Sequence, residues 1–224
     1  MKDKYTDENG VLKNLLNIKS AKELKQAEAD IGFVKLINID SIFIDKFDEN
    51  LIKSIHRHIF EDIYEWAGEY RTVPLVKEEV VLPGYSIPYS EYKNIGNDLR
   101  QKLNELNSIA WQNMDVDEIS HLYARKIALL WRVHPFRDGN TRTMLSFSFL
   151  YAKEHGFPFD IKVFINELNR KKDENGKILR HNVRDKFVLA CLDEKDYPEV
   201  QYLASIFKYA IKTYREEHKD KKCK

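Results

Sequence analysis

Apolar residues return at helical spacing along most of this chain, and capping and turn residues mark the breaks between them. Ser20 followed by Glu23 has the form of a capping box, with Leu24, Ala27, Ile31 and Val34 behind it on one face; this predicts a helix over 19–37. A second helix is predicted to begin near Asp48, to carry Leu51, Ile55, Ile59, Ile63 and Trp66 as its apolar stripe, and to end at Gly68. A third spans about 90–106, with Ile95, Leu99, Leu103 and Leu106 along one side. Asp115 and Glu118 cap a fourth, in which Ile119, Tyr123, Ile127 and Leu130 point one way and Ala124, Ala128 and Trp131 widen the stripe. Pro135 stops it directly after His134, because proline has no N–H to donate and disfavours helix in the residue before it. A fifth helix from near Asn140 carries Met144, Leu145, Phe147, Phe149, Leu150 and Tyr151, apolar almost all round, which places it in the middle of the core. Further helices are predicted over 161–168, 179–192 and 198–217, with a polar turn over 171–177. The stretch 71–89 differs: Val73, Leu75 and Val76, then Val80, Val81 and Leu82, flank Lys77-Glu78-Glu79, and Pro74, Pro83, Gly84 and Pro88 oppose helix. It predicts a short, exposed β-hairpin with a solvated tip at residues 77–79.

Composition narrows the class. The chain has 224 residues, 43% hydrophobic and 33% charged, enough for one well-buried core. Thirty-seven basic against 36 acidic residues leave a formal charge of +1, so charge gives no push toward nucleic acid or an anionic membrane. No apolar run approaches bilayer-spanning length and no secretory core follows Met1. Cys191 and Cys223 make neither a metal-ligand spacing nor a disulfide framework, which fits a reducing cytoplasm. The charged end from His218 onward reads as a solvated terminus. No repeat or interdomain linker divides the chain, so it reads as a single domain over 1–224: the helix over 19–37, a motif-bearing core over about 40–155 and a helical extension over 157–217.

The chemistry is concentrated in His134-Pro135-Phe136-Arg137-Asp138-Gly139-Asn140-Thr141-Arg142. His134 is a candidate proton acceptor near neutrality. Asp138 is a hard oxygen donor suited to Mg²⁺, and it also suits the cap of the following helix. Gly139 lets backbone approach a ligand closely. Asn140 and Thr141 suit a helix start, whose free N–H groups and positive dipole end attract an anion. Arg142 can neutralise phosphate oxygens with its planar fork, or form a surface ion pair. His134 and Asp138 have no third zinc ligand nearby in sequence. His56 and His58, two apart, face different directions and read as partly buried or solvated; Tyr64 and Trp66 read as packing residues.

That window resembles the signature loop of Fic-domain proteins, His-x-Phe-x-(Asp/Glu)-Gly-Asn-Gly-Arg-x-x-Arg. A second stretch, Ile55-His56-Arg57-His58-Ile59-Phe60 followed by Tyr64-Glu65-Trp66-Ala67-Gly68-Glu69-Tyr70-Arg71, is similar to the segment that leads into the family's flap. Val11-Leu12-Lys13-Asn14 with Leu16-Asn17-Ile18 resembles the start of many bacterial members, so the likeness spans roughly 5–155. The resemblance implies an all-α helical bundle with a short β-hairpin flap beside the active-site loop. It implies transfer of AMP from Mg-ATP to a Tyr, Ser or Thr hydroxyl of a target protein, self-modification included. His134 would then be the base, Asp138 would hold Mg²⁺, and Gly139 and Asn140 would bind the α-phosphate, with Thr141 beside them. Arg142 would meet the distal phosphates and Phe136 would anchor the loop. Val73, Leu75, Val76, Val80 and Val81 would pair with the target segment.

Two positions depart from the pattern. Thr141 stands for the second Gly, where it would either crowd the phosphates or add a donor, and Leu145 stands where the second Arg would contact the γ-phosphate. The family's inhibitory pattern, (Ser/Thr)-x-x-x-Glu-(Gly/Asn), has its nearest match at Thr213 and Glu217, followed by His218. A separate small antitoxin protein and a homo-oligomer are open as partners, beside the target protein. The competing functions are Doc-like phosphate transfer or UMP transfer, and an inactive module that keeps a nucleotide pocket for regulation.

Overall fold

The structure, a computed structural model, describes residues 3–82, 84–167, 171–172, 174, 178–192 and 199–219. It is a helical bundle: α1 (Ala21–Ile37), α2 (Glu49–Phe60), α3 (Ile95–Asn107), α4 (Val116–Val133), α5 (Asn140–Glu154), α6 (Lys162–Ile165), α7 (Val183–Leu192) and α8 (Val200–Lys219). Between α6 and α7, β1 (Lys171–Lys172) pairs antiparallel with β2 (Ile178–Arg180). No helix among the described residues is long and apolar enough to cross a membrane.

The all-round apolar helix is central, as its pattern predicts. In α5, Met144, Leu145, Phe147, Leu150 and Tyr151 are buried, and so are Thr143, Ser146 and Ser148. Those three hydroxyls are satisfied by the carbonyls four residues earlier, Gly139, Arg142 and Met144, so small polar groups sit inside the core without an unmet bond. α2 and α4 lie against α5; α4 also packs on α3, α7 and α8, and α1 lies on α2. Two aromatic hydroxyls inside find carbonyls: Tyr123 donates to Ser148 (2.7 Å) and Tyr151 to Leu106 (3.0 Å).

Both ends of α4 follow the sequence. Asp115 accepts from the N–H groups of Asp117 and Glu118 while Glu118 reaches back to the Asp115 N–H, a complete capping box. Its C-cap is His134 itself, in the left-handed region at φ 50°, immediately before Pro135.

Several expectations are corrected. α1 keeps Ser20 as its N-cap, but it buries Leu24, Glu28 and Gly32 and leaves Val34 exposed: the helix is rotated so that Glu28 faces the half-buried Arg142 of α5. α2 stops at Phe60 rather than Gly68, because the chain turns back and Gly68 donates its N–H to His56. α3 begins at Ile95, after turns over residues 92–94. α6 has four residues, and residues 178–180 belong to β2, not to the helix that follows. The expected bounds Leu168 and Pro198, and most of the 171–177 turn, lie outside the described residues, as do Pro83 and Cys223.

The flap is not a regular hairpin. Among its described residues there is one bridge, Glu78 with Ser86, and no strand. Pro74 and Pro88 supply no N–H, and the Lys77 N–H bonds the Ser86 hydroxyl instead of a carbonyl, so no ladder propagates. Side chains still alternate as in an extended chain: Val76, Glu78 and Val80 face out, while Leu75, Lys77 and Glu79 face in. Val73 and Val81 are half-buried.

Candidate active site

The turn between α4 and α5 is braced from every side. Pro135 accepts from the Arg71 N–H (2.8 Å). Phe136, fully buried, stacks on His56 with ring centroids 3.8 Å apart. Both its backbone groups are taken by the Asn140 amide, whose oxygen accepts from Phe136 N–H and whose nitrogen donates to Phe136 O, each at 2.9 Å. Arg137 is tied to Asp3 by two bonds of 2.8 and 2.6 Å. The Asp138 carbonyl lies 3.1 Å from His56 Nε2. Because the Gly68 N–H already donates to His56 Nδ1 (2.8 Å), the ring proton is on Nε2 and points at Asp138.

His134 is buried. Its ring lies between Tyr89, stacked at 4.2 Å, and the edge-on indole of Trp131 at 4.8 Å. Nδ1 faces the Trp131 carbonyl at 3.4 Å, while Nε2 is buried with no partner. A proton on Nδ1 leaves the lone pair on Nε2, as a base requires. Burial, with the charges of Lys77 and Arg184 nearby, holds the imidazole well below its ordinary pKa of 6.5, and burial lowers His56 to about 3. Both rings are therefore neutral at pH 7.

This has a consequence for stability. A histidine whose folded pKa is depressed gains a proton on unfolding below pH 6.5, so its contribution is full above that pH and is lost as pH falls. At pH 5.5 each ring costs on the order of 1 kcal/mol. The denaturant midpoint should thus fall between pH 7.5 and 5.5, with a smaller fall in His56→Leu; a flat midpoint over that range would contradict neutral burial.

At Asp138, burial by itself would raise the carboxyl's pKa. Lys77, Arg142, the Gly139 N–H (2.6 Å) and Arg137 outweigh it and hold the group below the usual range, ionised. Gly139 is the N-cap of α5 with φ 77°, and the Gly139 carbonyl takes the Thr143 N–H. The N–H groups of Asn140, Thr141 and Arg142 form the first turn, which has no intrahelical acceptor, so they are free to face an anion. The Asn140 side chain is occupied inside the turn; what it offers a ligand is its backbone N–H. The Thr141 hydroxyl accepts from the Trp131 indole at 3.1 Å, so in this chain the residue at the second glycine position braces α4. Leu145 is buried in the core.

Three groups near this turn escape a reading of the loop alone. Glu28 of α1 accepts from Arg142 Nη2 (2.6 Å) and from the Tyr64 hydroxyl, while its carbonyl accepts from Nη1 (3.2 Å); the guanidinium lies 4.5 Å over Phe60. Glu79 is buried rather than solvated, paired with Arg184 at 2.5 Å and accepting from Tyr89 at 2.7 Å, which fastens the flap to α7. His56 is core, not surface. Its signal was present: Ile52, Ile55, His56 and Ile59 follow the i, i+3, i+4, i+7 rule, as Leu24, Glu28 and Gly32 follow i, i+4, i+8. Arg184 has no such signal. Thr213 is half-buried near the end of α8 and Glu217 is exposed; the carboxylate paired with Arg142 is Glu28.

Among the described residues no three His, Cys, Asp or Glu side chains gather to cage a metal. A single ionised carboxylate beside a helix N-terminus fits Mg²⁺, which takes most of its shell from phosphate and water.

The Fic/DOC family model matches residues 46–152. The protein adenylyltransferase VbhT of Bartonella schoenbuchensis is 32% identical over 160 residues, 70% of this chain and 32% of that protein. The probable protein adenylyltransferase Fic of Escherichia coli is 28% identical over 132 residues, 58% of this chain and 62% of its own. The chain thus spans between about a third and three fifths of the length of these relatives. Among solved structures, the N-terminal FIC domain of Bep8 from Bartonella sp. 1-1C superposes with a TM-score of 0.69 at 24% identity, covering 92% of this chain and 93% of that one. The BepC protein of Bartonella tribocorum, solved with bound AMPPNP, gives 0.69 at 21% identity, covering 92% and 95%. Both likenesses are of fold.

Proposed function

The chain belongs to the Fic/DOC family, and we propose that it is a protein adenylyltransferase that moves AMP from Mg-ATP to a Tyr, Ser or Thr hydroxyl of a target protein, itself included. The observation that carries this reading is the unpartnered Nε2 of His134 in the same short turn as the ionised Asp138 and the open N-terminus of α5. The α-phosphate lies against the first-turn N–H groups of Asn140, Thr141 and Arg142, where Gly139 lets it approach closely, and Arg142 meets the distal phosphates. The target hydroxyl gives its proton to Nε2 as its oxygen bonds the α-phosphorus. The bond from that phosphorus to the bridging oxygen breaks and pyrophosphate leaves. Asp138 would hold Mg²⁺, which supplies positive charge to the phosphate oxygens. The chain's own part is positioning and charge, with no covalent protein intermediate. Nε2 is enclosed under Tyr89, so the hydroxyl reaches it as the flap shifts; Val76 and Val80, on the outer face, are placed to meet the target segment.

The test is intact mass after incubation with Mg²⁺ and each nucleoside triphosphate. The expected result is a gain of one AMP that His134→Ala abolishes. A gain of phosphate or UMP would redirect the reading to those transfers. Bound nucleotide with no label on the chain or on any offered protein would leave a regulatory module.

A further inference from the structure

The cations around the turn are unequally committed. Arg137 is paired with Asp3 at 2.6 Å, Arg142 with Glu28 at 2.6 Å and Arg184 with Glu79 at 2.5 Å. Arg71 is buried behind the turn and gives its side-chain donors to backbone carbonyls. Lys77 is the exception: among the described residues its ammonium makes no ion pair and no hydrogen bond. It stands on the inner face of the flap, half-buried between exposed Val76 and Glu78. Its neighbour on that face, Glu79, is anchored to Tyr89, whose ring covers His134. Its charge also helps to hold Asp138 ionised and His134 neutral, in keeping with its inward place on the flap.

The charges of Arg137, Arg142 and Arg184 are each offset by a carboxylate in contact, Arg71 is spent on carbonyls behind the turn, and the position where the resemblance places a second arginine is Leu145, apolar and 6% exposed. A magnesium nucleoside triphosphate carries net negative charge, concentrated on its β- and γ-phosphates. The uncommitted cation facing it is Lys77, a point charge on a flexible stem that suits mobile distal phosphates.

We infer that Lys77 is a nucleotide-binding residue, reaching from the flap to the β- and γ-phosphates of the bound triphosphate and standing in for the arginine that Leu145 replaces. The inference rests on the adenylyl-transfer reading above. It also joins nucleotide binding to flap position, because the residue that holds the phosphates lies on the segment that must meet the target.

Calorimetric titration of the whole chain with Mg-ATP, Mg-ADP and AMP tests it. Lys77→Met should weaken ATP and ADP about tenfold and leave AMP within about twofold, a split that a merely structural defect would not produce. Lys77→Arg should restore ATP binding, and Lys77→Gln, which keeps a polar stem, should behave as Lys77→Met. ATP should protect the flap from proteolysis in the wild type and not in Lys77→Met. Wild-type affinity for ATP in Lys77→Met, or an equal loss for ATP and AMP, overturns the assignment while the adenylyl-transfer reading stands. Absence of ATP binding in the wild type overturns both.

Discussion

Gly139→Ala is expected to destabilise the chain by about 2–5 kcal/mol and to lower self-labelling by roughly a hundredfold or more. Two independent costs combine. Gly139 has φ 77°, where a Cβ meets the backbone at about 1–2 kcal/mol. That Cβ would also stand 2.3 and 2.4 Å from Cε2 and Cζ of Phe60. The ring cannot yield: Phe60 is 1% exposed, with Arg142 over it at 4.5 Å and His56 beside it at 4.7 Å. Overpacking of a closed site adds about 1–3 kcal/mol. The strain moves the N-terminus of α5, where a shift of 1 Å can cost about a hundredfold in rate. Gly84 provides the control, because its φ of 80° is nearly the same and a Cβ there meets nothing within 4 Å; Gly84→Ala should show the backbone cost alone. In the Gly139→Ala background, Phe60→Leu should recover the packing part and not the backbone part, read as a favourable coupling between the two changes. Denaturant unfolding and intact-mass labelling check this together; a Gly139→Ala protein within about 1 kcal/mol of wild type and fully active would refute the close approach.

Features legible in the sequence and features that only the folded chain reveals divide along a physical line. Periodicity located the central helix, the capping box at Asp115 and the stop at Pro135, because each depends on residues within one or two turns of one another. The loop's chemistry was legible for the same reason: His134, Asp138, Gly139 and Arg142 are near in sequence and near in space. What could not be read are contacts closed over long separations. Glu28 lies 114 residues from Arg142, Glu79 lies 105 residues from Arg184, and Asp3 lies 134 residues from Arg137. A polar residue on an apolar stripe, as at His56 or Glu28, announces that a partner exists and not which one. The flap was misread because alternating apolar residues suggest a ladder, whereas two prolines and an inward glutamate spend its backbone and side chains elsewhere. Thr141 shows the same limit: its spacing allowed either crowding or donation toward phosphate, and the hydroxyl instead accepts from Trp131.

The second large effect is expected at Arg71, which no loop motif includes. This side chain is 1% exposed and carries a guanidinium whose burial lowers its pKa. It donates through Nε to the His134 carbonyl (2.9 Å), through Nη1 to Val73 (2.9 Å) and through Nη2 to Ser90. One planar group therefore ties both feet of the flap to the residue whose ring is the proposed base. It does so at the point where His134 is held in the left-handed region, a conformation that a non-glycine residue keeps only when its surroundings enforce it. Arg71→Met takes this donor from the buried His134 carbonyl and from the partly buried carbonyls of Val73 and Ser90, up to about 1–3 kcal/mol for each, partly offset by no longer burying a charge. The net expectation is a loss of about 3–5 kcal/mol, a flap open to protease, and labelling reduced at least in proportion to the displaced base. Arg71→Lys should rescue little, since an ammonium cannot span three carbonyls set by a fork. The order of the three proteins in a urea titration tests the claim: Met and Lys variants together, well below wild type. If Arg71→Lys unfolds with the wild-type midpoint, the fork geometry is not what holds His134, and the charge alone suffices.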